Sequence, residues 1–441
     1  PPKPARISPA ASQTRRLRGG TSGAPGGRHA TVDREPHALK LELLYDVCHG
    51  ATQGPRRTGK QLMNDPLSFN RRRFHTVVGA SLVACSRVVR AQDSRIVLGQ
   101  SAAFSGPAMQ LGTQFHAGAK LCFDQLNARG GVNGRPIEIR HLDDGYEPDR
   151  CKANTERLIR DEVLALFGYI GTPTSLAALP LATAAKVPFI APFTGAMGLR
   201  EPFHREAFHL RASYDDETEL IVRQLTVLGQ NRIAVFHQND AYGQAGLSGV
   251  TKALTARQLK PLASATVERN SSDVREAVAR LATSGAQAIV QIGAYQACAA
   301  FIREARKAGY GGTFHNVSFV GTQALADALG PDGAGVVVSQ VVPSPYDAAR
   351  PITREFVAAT RQSGGKVQAN YSSMEGYLAA KVLAEGVRRA GAKLTRDALV
   401  TGLESINEDF GGFRVAFGPG KHVASHFAEL SMLTGDGRVR T

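Results

Sequence analysis

Residues 164–195 read LALFGYIGTPTSLAALPLATAAKVPFIAPFTG. The run Leu164 to Tyr169 is short and apolar and suits a buried strand, Ser175 to Ala185 is long enough for a helix, and Phe189 to Ala191 reads as a second strand. A strand, a helix and a strand joined by short turns form a βαβ unit, whose right-handed crossover lays the two strands parallel. The same alternation extends upstream, with strand Ile96 to Gly99, helix Leu111 to Ala128, strand Ile137 to Leu142 and helix Asp149 to Asp161. A second series follows Arg211: helix Glu217 to Leu228, strand Ile233 to His237, helices Leu247 to Ala256 and Val274 to Ala282, strand Ala288 to Ile292 and helix Cys298 to Ala308. Two series of this kind predict an α/β protein with two doubly wound parallel-sheet lobes.

The 441 residues suffice for two or three domains, and 43% apolar with 21% charged residues excludes wholesale disorder. The charge is lopsided: residues 1–94 carry 16 Lys and Arg against 6 Asp and Glu, whereas residues 95–441 carry 37 against 32. A body so close to neutral has no basic stripe for a phosphate backbone, so no nucleic-acid partner is expected. Residues 1–62 are rich in Pro, Gly, Arg, Ser and Thr and are expected to be disordered. Residues 63–91 have the outline of a signal peptide: Arg71-Arg72-Arg73, an apolar run from Thr76 to Ala84, and Val89-Arg90-Ala91 before Gln92. Because a cleavable signal is read at an N-terminus, translation is expected to start at Met63, leaving 1–62 untranslated natively. The apolar run has about ten residues against the roughly 20 that span a bilayer. Its arginines suit either a twin-arginine or a general export signal, and both predict a periplasmic protein. Leu82-Val83-Ala84-Cys85 also resembles a lipobox, which makes lipid anchoring through Cys85 the alternative to cleavage after Ala91. Past Ala91 only Cys122, Cys151 and Cys298 remain, so at most one disulfide can form. Cys122 lies on a helical pattern with Leu121 and Leu126 and reads as a core residue, and a Cys151–Cys298 pairing is left open.

Enzyme signatures fail one after another. Gly309-Tyr310-Gly311-Gly312 follows a helix instead of opening one, Gly420-Lys421 lacks the rest of a P-loop, and there is no GxSxG elbow. His422 and His426 beside Gly418-Pro419-Gly420 lack the glutamate of a zinc motif and read as exposed loop histidines. The strand ends are richer: Ser105-Gly106-Pro107, Gly171-Thr172-Pro173-Thr174-Ser175 and Pro192-Phe193-Thr194-Gly195 stand at C-terminal strand edges, where open α/β sheets bind ligands.

SAAFSGPAMQLGTQFHAGAKLCFDQLNARGGVNGRPIEI from Ser101, then DDGYEPDRC, GYIGTPTS, VPFIAPFTGA and NDAYGQAG, resemble the periplasmic leucine/isoleucine/valine-binding family from about Arg95 to Val439. The resemblance implies the type I periplasmic binding protein fold, two lobes joined by a three-strand hinge. It divides the chain into lobe 1, residues 92–213 and 344–418, and lobe 2, residues 214–343 and 419–441, with crossovers near Arg211, Gln340 and Gly418. It implies a small-molecule ligand, an amino acid or small organic acid, captured in the cleft and handed to the permease subunits of an ABC importer, with no cofactor and no catalysis. Ser175 resembles the serine that holds the ligand carboxylate with backbone N–H groups. Thr194 and Gly195 match a loop contacting carboxylate and amine, and Phe193 departs from the small residue usual there. Tyr242 and Tyr295 match tyrosines that close over the ligand, and Asp216, beside Tyr214, stands where an acid is common. The implied ligand-binding set is Ser105, Leu111, Thr174, Ser175, Phe193, Thr194, Gly195, Tyr214, Asp216, Tyr242, Tyr295 and Ser318.

Ser318 replaces the glutamate that meets the α-ammonium in the branched-chain binders, which removes a charge-assisted partner worth about 1.5–3 kcal/mol unless Asp216 compensates. The two positions of the family's disulfide fall near Tyr146 and Thr174, so that bridge is expected to be absent. A ligand sensor of the same fold is the alternative function, which the export signal separates from a cytoplasmic regulator. A hydrolase or oxidoreductase on the same scaffold is a third reading, since fold alone does not decide chemistry.

Overall fold

The computed structural model describes residues 95–441. The 1–62 stretch, the expected signal peptide 63–91 and Cys85 lie outside the described residues. The first sheet contains β1 (Ile96–Ala102), β2 (Ile137–Asp143), β3 (Ala165–Phe167), β4 (Phe189–Ile190) and β5 (Ala207–Phe208), in the order β2-β1-β3-β4-β5 and parallel throughout. Its helices are α1 (Met109–Ala128), α2 (Pro148–Arg160) and α3 (Thr172–Ala184). Helix α3 starts three residues before the expected Ser175 because Thr172-Pro173 form its first turn, where the missing proline N–H costs nothing.

The chain then passes to the other lobe, which holds α4 (Tyr214–Val227), β6 (Ile233–Gln238), α5 (Ala241–Thr255), β7 (Ser264–Val267), α6 (Arg275–Leu281), β8 (Ala288–Ile292), α7 (Tyr295–Lys307), β9 (Thr313–Asn316), α8 (Thr322–Leu329) and β10 (Val337–Gln340). Helices α4 and α5 start earlier than apolar periodicity suggests because polar residues cap them. Ser213 and Asp216 form a reciprocal capping box on α4, and the Asp240 carboxylate accepts from the Tyr242 and Gly243 amides on α5.

The chain returns to the first lobe for α9 (Pro351–Gln362), α10 (Tyr371–Ala390), α11 (Arg396–Glu404) and the hairpin of β11 (Asn407–Asp409) and β12 (Arg414–Ala416), then ends in β13 (Glu429–Leu433) and β14 (Val439–Arg440). The second sheet has the order β14-β13-β10-β9-β8-β6-β7. The expectation of parallel sheets needs one correction: β13 runs antiparallel to β10 and β14 antiparallel to β13, so the second sheet carries an antiparallel edge. The reason is connectivity, since the last strands arrive from the first lobe without a βα crossover inside the sheet.

The last passage also lies later than the Gly418 boundary. The His209 amide donates to the His422 carbonyl and the Ala424 amide to the His209 carbonyl, which ties residues 422–424 to the end of the first lobe's strand. Among the described residues, Cys122, Cys151 and Cys298 are buried and unpaired. Cys122 sits in the core, as its helical pattern indicates, and burial pushes its thiol up to about 12.

Close helix packing supports the first lobe. A Cβ on Gly118 of α1 would stand 1.8 Å from the Ser373 carbonyl oxygen of α10, and one on Gly376 would stand 2.0 Å from the Phe115 oxygen. The backbones therefore meet where only glycine fits. Gly118→Ala should force the helices apart and lower the unfolding free energy by about 1–3 kcal/mol in a urea melt; an unchanged midpoint would mean that the helices do not touch there.

Candidate functional site

The facing edges of the lobes enclose a continuous group of buried side chains. From the first lobe comes the turn into α3. Gly171 has φ 96°, and a Cβ there would lie 2.2 Å from the ring of Tyr146, so its lack of a side chain lets that ring lie against the turn. Of the three hydroxyls on this turn, that of Thr174 folds back on the Ile170 and Gly171 carbonyls. Ser175 Oγ is buried and has no partner among the described residues. The next loop brings Thr194 Oγ1 to 2.6 Å from Thr172 Oγ1 and packs Gly195 against Tyr214, whose amide donates to the Gly195 carbonyl at 2.8 Å.

From the second lobe come Tyr242 and Phe319. The ring of Tyr242 lies 5.4 Å from that of Tyr214 and 4.5 Å from that of Phe319, and Phe319 in turn lies 5.8 Å from both Phe193 and Tyr146. Leu111 of α1 presses on Gly321 across the gap. The Tyr242 hydroxyl is buried without a partner among the described residues. The Tyr214 hydroxyl, close to the Thr194 side chain, also lacks a hydrogen bond of normal geometry, and burial pushes its pKa up to about 12.

At the first crossover stands a group that sequence reading placed only as a hinge position. Arg211 is 1% exposed; its Nε and Nη2 donate to Glu375 of α10 at 2.8 and 2.7 Å, and its guanidinium carbon lies 4.0 Å from the centroid of the Phe193 ring. Burial works against its charge, yet the bonded Glu375 carboxylate and the field of Glu217 hold its pKa above the usual arginine value. Its third nitrogen, Nη1, is buried and has no partner among the described residues. Phe193 therefore supports the guanidinium.

Glu217 was also missed as a site residue. It is fully buried and accepts from the Ser318 amide at 2.7 Å, Ser318 Oγ at 3.0 Å and Ser339 Oγ at 2.6 Å. Burial raises its pKa, opposed by Arg211 and these hydrogen bonds. Ser318 thus does not leave its neighbourhood without a carboxylate, since its two donors hold one. Tyr146, read only as a position in a missing disulfide, joins the lobes by accepting from Gln238 Nε2 at 3.3 Å.

Three expected residues stand apart. Ser105 is exposed and commits its hydroxyl to Asp143 at 2.5 Å. Asp216 caps α4 and faces His426 of the last crossover at 3.2 Å, so it does not compensate inside the site: it and Glu217 are neighbours on one helical turn and point to different sides. Tyr295 is 5% exposed and has its hydroxyl near the Gln110 backbone of the other lobe, away from the rings of Tyr242 and Phe319. His422 is also corrected, since it is 4% exposed and stacks on Phe208 at 3.8 Å instead of lying free in a loop. Open hollows of about 410 and 530 Å³ lie elsewhere, one along α1 and α10 and one behind the hinge.

Residues 95–437 match the family model described as periplasmic binding protein. The chain belongs to this family. It is similar to an amino acid binding protein of Pseudomonas aeruginosa, 26% identical over 53% of this chain and 63% of that protein. It also resembles the Leu/Ile/Val-binding protein of Escherichia coli K12, 23% identical over 68% of this chain and 82% of the relative. Among solved structures, that of a possible leucine/isoleucine/valine-binding protein from Rhodopirellula baltica superposes with a TM-score of 0.75 at 34% identity, covering 78% of this chain and 95% of that one. These matches and the two-lobed architecture place the chain in the leucine/isoleucine/valine-binding protein family, with the type I periplasmic binding protein fold. No helix among the described residues is long and apolar enough to cross a membrane.

Proposed function

We propose that this periplasmic binding protein is the exported solute-binding component of an ABC importer, capturing a small carboxylate or amino-acid-like ligand between its lobes and handing it on unaltered. The observation that carries this reading is the cluster of buried polar groups without partners at the lobe junction, Ser175 Oγ, Arg211 Nη1 and the Tyr214 and Tyr242 hydroxyls. Buried polar atoms left without a partner each cost about 1–3 kcal/mol, a cost that a bound polar guest removes. Binding to the first lobe and completion of the cage by Tyr242 and Phe319 would shift the population toward the closed form, with rotation absorbed at the three crossovers. The permease subunits would recognise that closed form.

A thermal-shift screen of carboxylates and amino acids tests the reading. A true ligand at 100 times its Kd adds about 2.7 kcal/mol of stability and is recovered unchanged; consumption of the compound, or no response to any of them, would defeat it. Ser175→Ala is expected to weaken binding of a carboxylate by about 1–3 kcal/mol while leaving the melting of the free protein intact or slightly higher, because the lost hydroxyl has no partner there. Unchanged affinity by calorimetry would remove Ser175 from the site.

A further inference from the structure

The lobe junction is unbalanced in its hydrogen-bonding sense. Arg211 Nη1 is a donor that can never accept, and it is joined by three hydroxyls that can donate, those of Ser175, Tyr214 and Tyr242. The nearby carboxylates are already engaged. Both oxygens of Glu375 take Arg211, and Glu217 takes three donors from Ser318 and Ser339. Asp216 is bound to Ser213 and His426. Asp240 takes the first amides of α5 and Gln238 Nε2, and Asp144 takes Ser101 Oγ and the Tyr146 amide. The remaining surface is apolar and largely aromatic, supplied by Phe193, Phe319, Tyr146 and Leu111.

A guest that complements such a site offers acceptors at one end and a flat or branched hydrocarbon body at the other. An ammonium group brings three further donors, and apart from the hydroxyl oxygens it finds on Glu217 room for one more donor only, at Oε1 beside Ser318 Oγ, since Oε2 already takes the Ser318 amide and Ser339 Oγ. We propose that the ligand is a monocarboxylate without an α-ammonium group, an aromatic or branched aliphatic acid whose carboxylate meets Arg211 Nη1 and the orphaned hydroxyls. This deepens the solute-binding reading and rests on it.

The test uses pairs of compounds that differ only in the ammonium: 3-phenylpropanoate against L-phenylalanine, and 4-methylpentanoate against L-leucine, with 3-phenylpropanamide as the neutral control, each titrated calorimetrically into the purified protein. In at least one pair the acid should bind ten-fold or more tightly than its amino acid, and 3-phenylpropanamide should bind at least ten-fold more weakly than 3-phenylpropanoate. An amino acid that equals or exceeds its acid overturns the inference while leaving solute binding standing, and loss of that amino acid's binding in Glu217→Gln then assigns its ammonium to Glu217. Absence of binding by every compound overturns the inference together with the reading beneath it.

Discussion

Arg211→Met is expected to abolish ligand binding and to lower the unfolding free energy by about 3–5 kcal/mol, because it strands Glu375 as an uncompensated charge in the interior. Glu375 is 4% exposed and has both oxygens committed to Arg211, so no solvent replaces the lost partner. The double variant Arg211→Met with Glu375→Met separates the two roles. Replacing both members of a buried ion pair by apolar residues of similar volume is often neutral in stability, so the fold should recover much of the loss. Binding should stay abolished, because Nη1 is gone. Urea melts and calorimetry on the same preparations read both effects, and a single variant as stable as the parent would mean that the pair is not buried.

The second large effect belongs to Tyr242, whose two parts make opposite predictions. Tyr242→Ala removes a ring packed against Tyr214 and Phe319 and should lower the unfolding free energy by about 3–5 kcal/mol and weaken binding with it. Tyr242→Phe keeps the ring and deletes only the orphaned hydroxyl. The free protein should then be as stable as the parent or slightly more so, while a bound carboxylate loses about 1.5–3 kcal/mol. A Phe variant that is less stable when empty and unchanged in affinity would show that the hydroxyl serves the fold instead of the ligand.

Much of the architecture was legible because parallel strands buried on both faces read as short continuous apolar runs, and Leu164 to Ala191 displays two of them around a helix. Where elements began earlier than expected, as in α4 and α5, polar caps set the boundary and carry no apolar period. The antiparallel edge of the second sheet was hidden because its strands come from the far end of the chain. Within the site, Ser175, Phe193, Thr194, Gly195, Tyr214 and Tyr242 were reachable from turn chemistry and family resemblance, and they do come together. Arg211 was visible only as a hinge position, since its role depends on Glu375, 164 residues away. Glu217 had no signal either: an acid in the first turn of a helix is ordinarily read as complementing the helix dipole, and nothing local distinguishes the inward-facing Glu217 from the capping Asp216. Tyr146, in a turn with φ 63°, gave no periodicity from which to read its contact with the other lobe.

The central claim is that a guest is held between the lobes by the donors gathered there. A crystal structure of the protein with its tightest-binding carboxylate tests this most directly. The account predicts a closed molecule with the carboxylate within hydrogen-bonding distance of Arg211 Nη1 and Ser175 Oγ and the hydrocarbon body against Phe193 and Phe319. The compound seated instead behind the hinge near His204 and His426, or along α1 and α10 near Lys381, with the lobe junction unchanged, would contradict it.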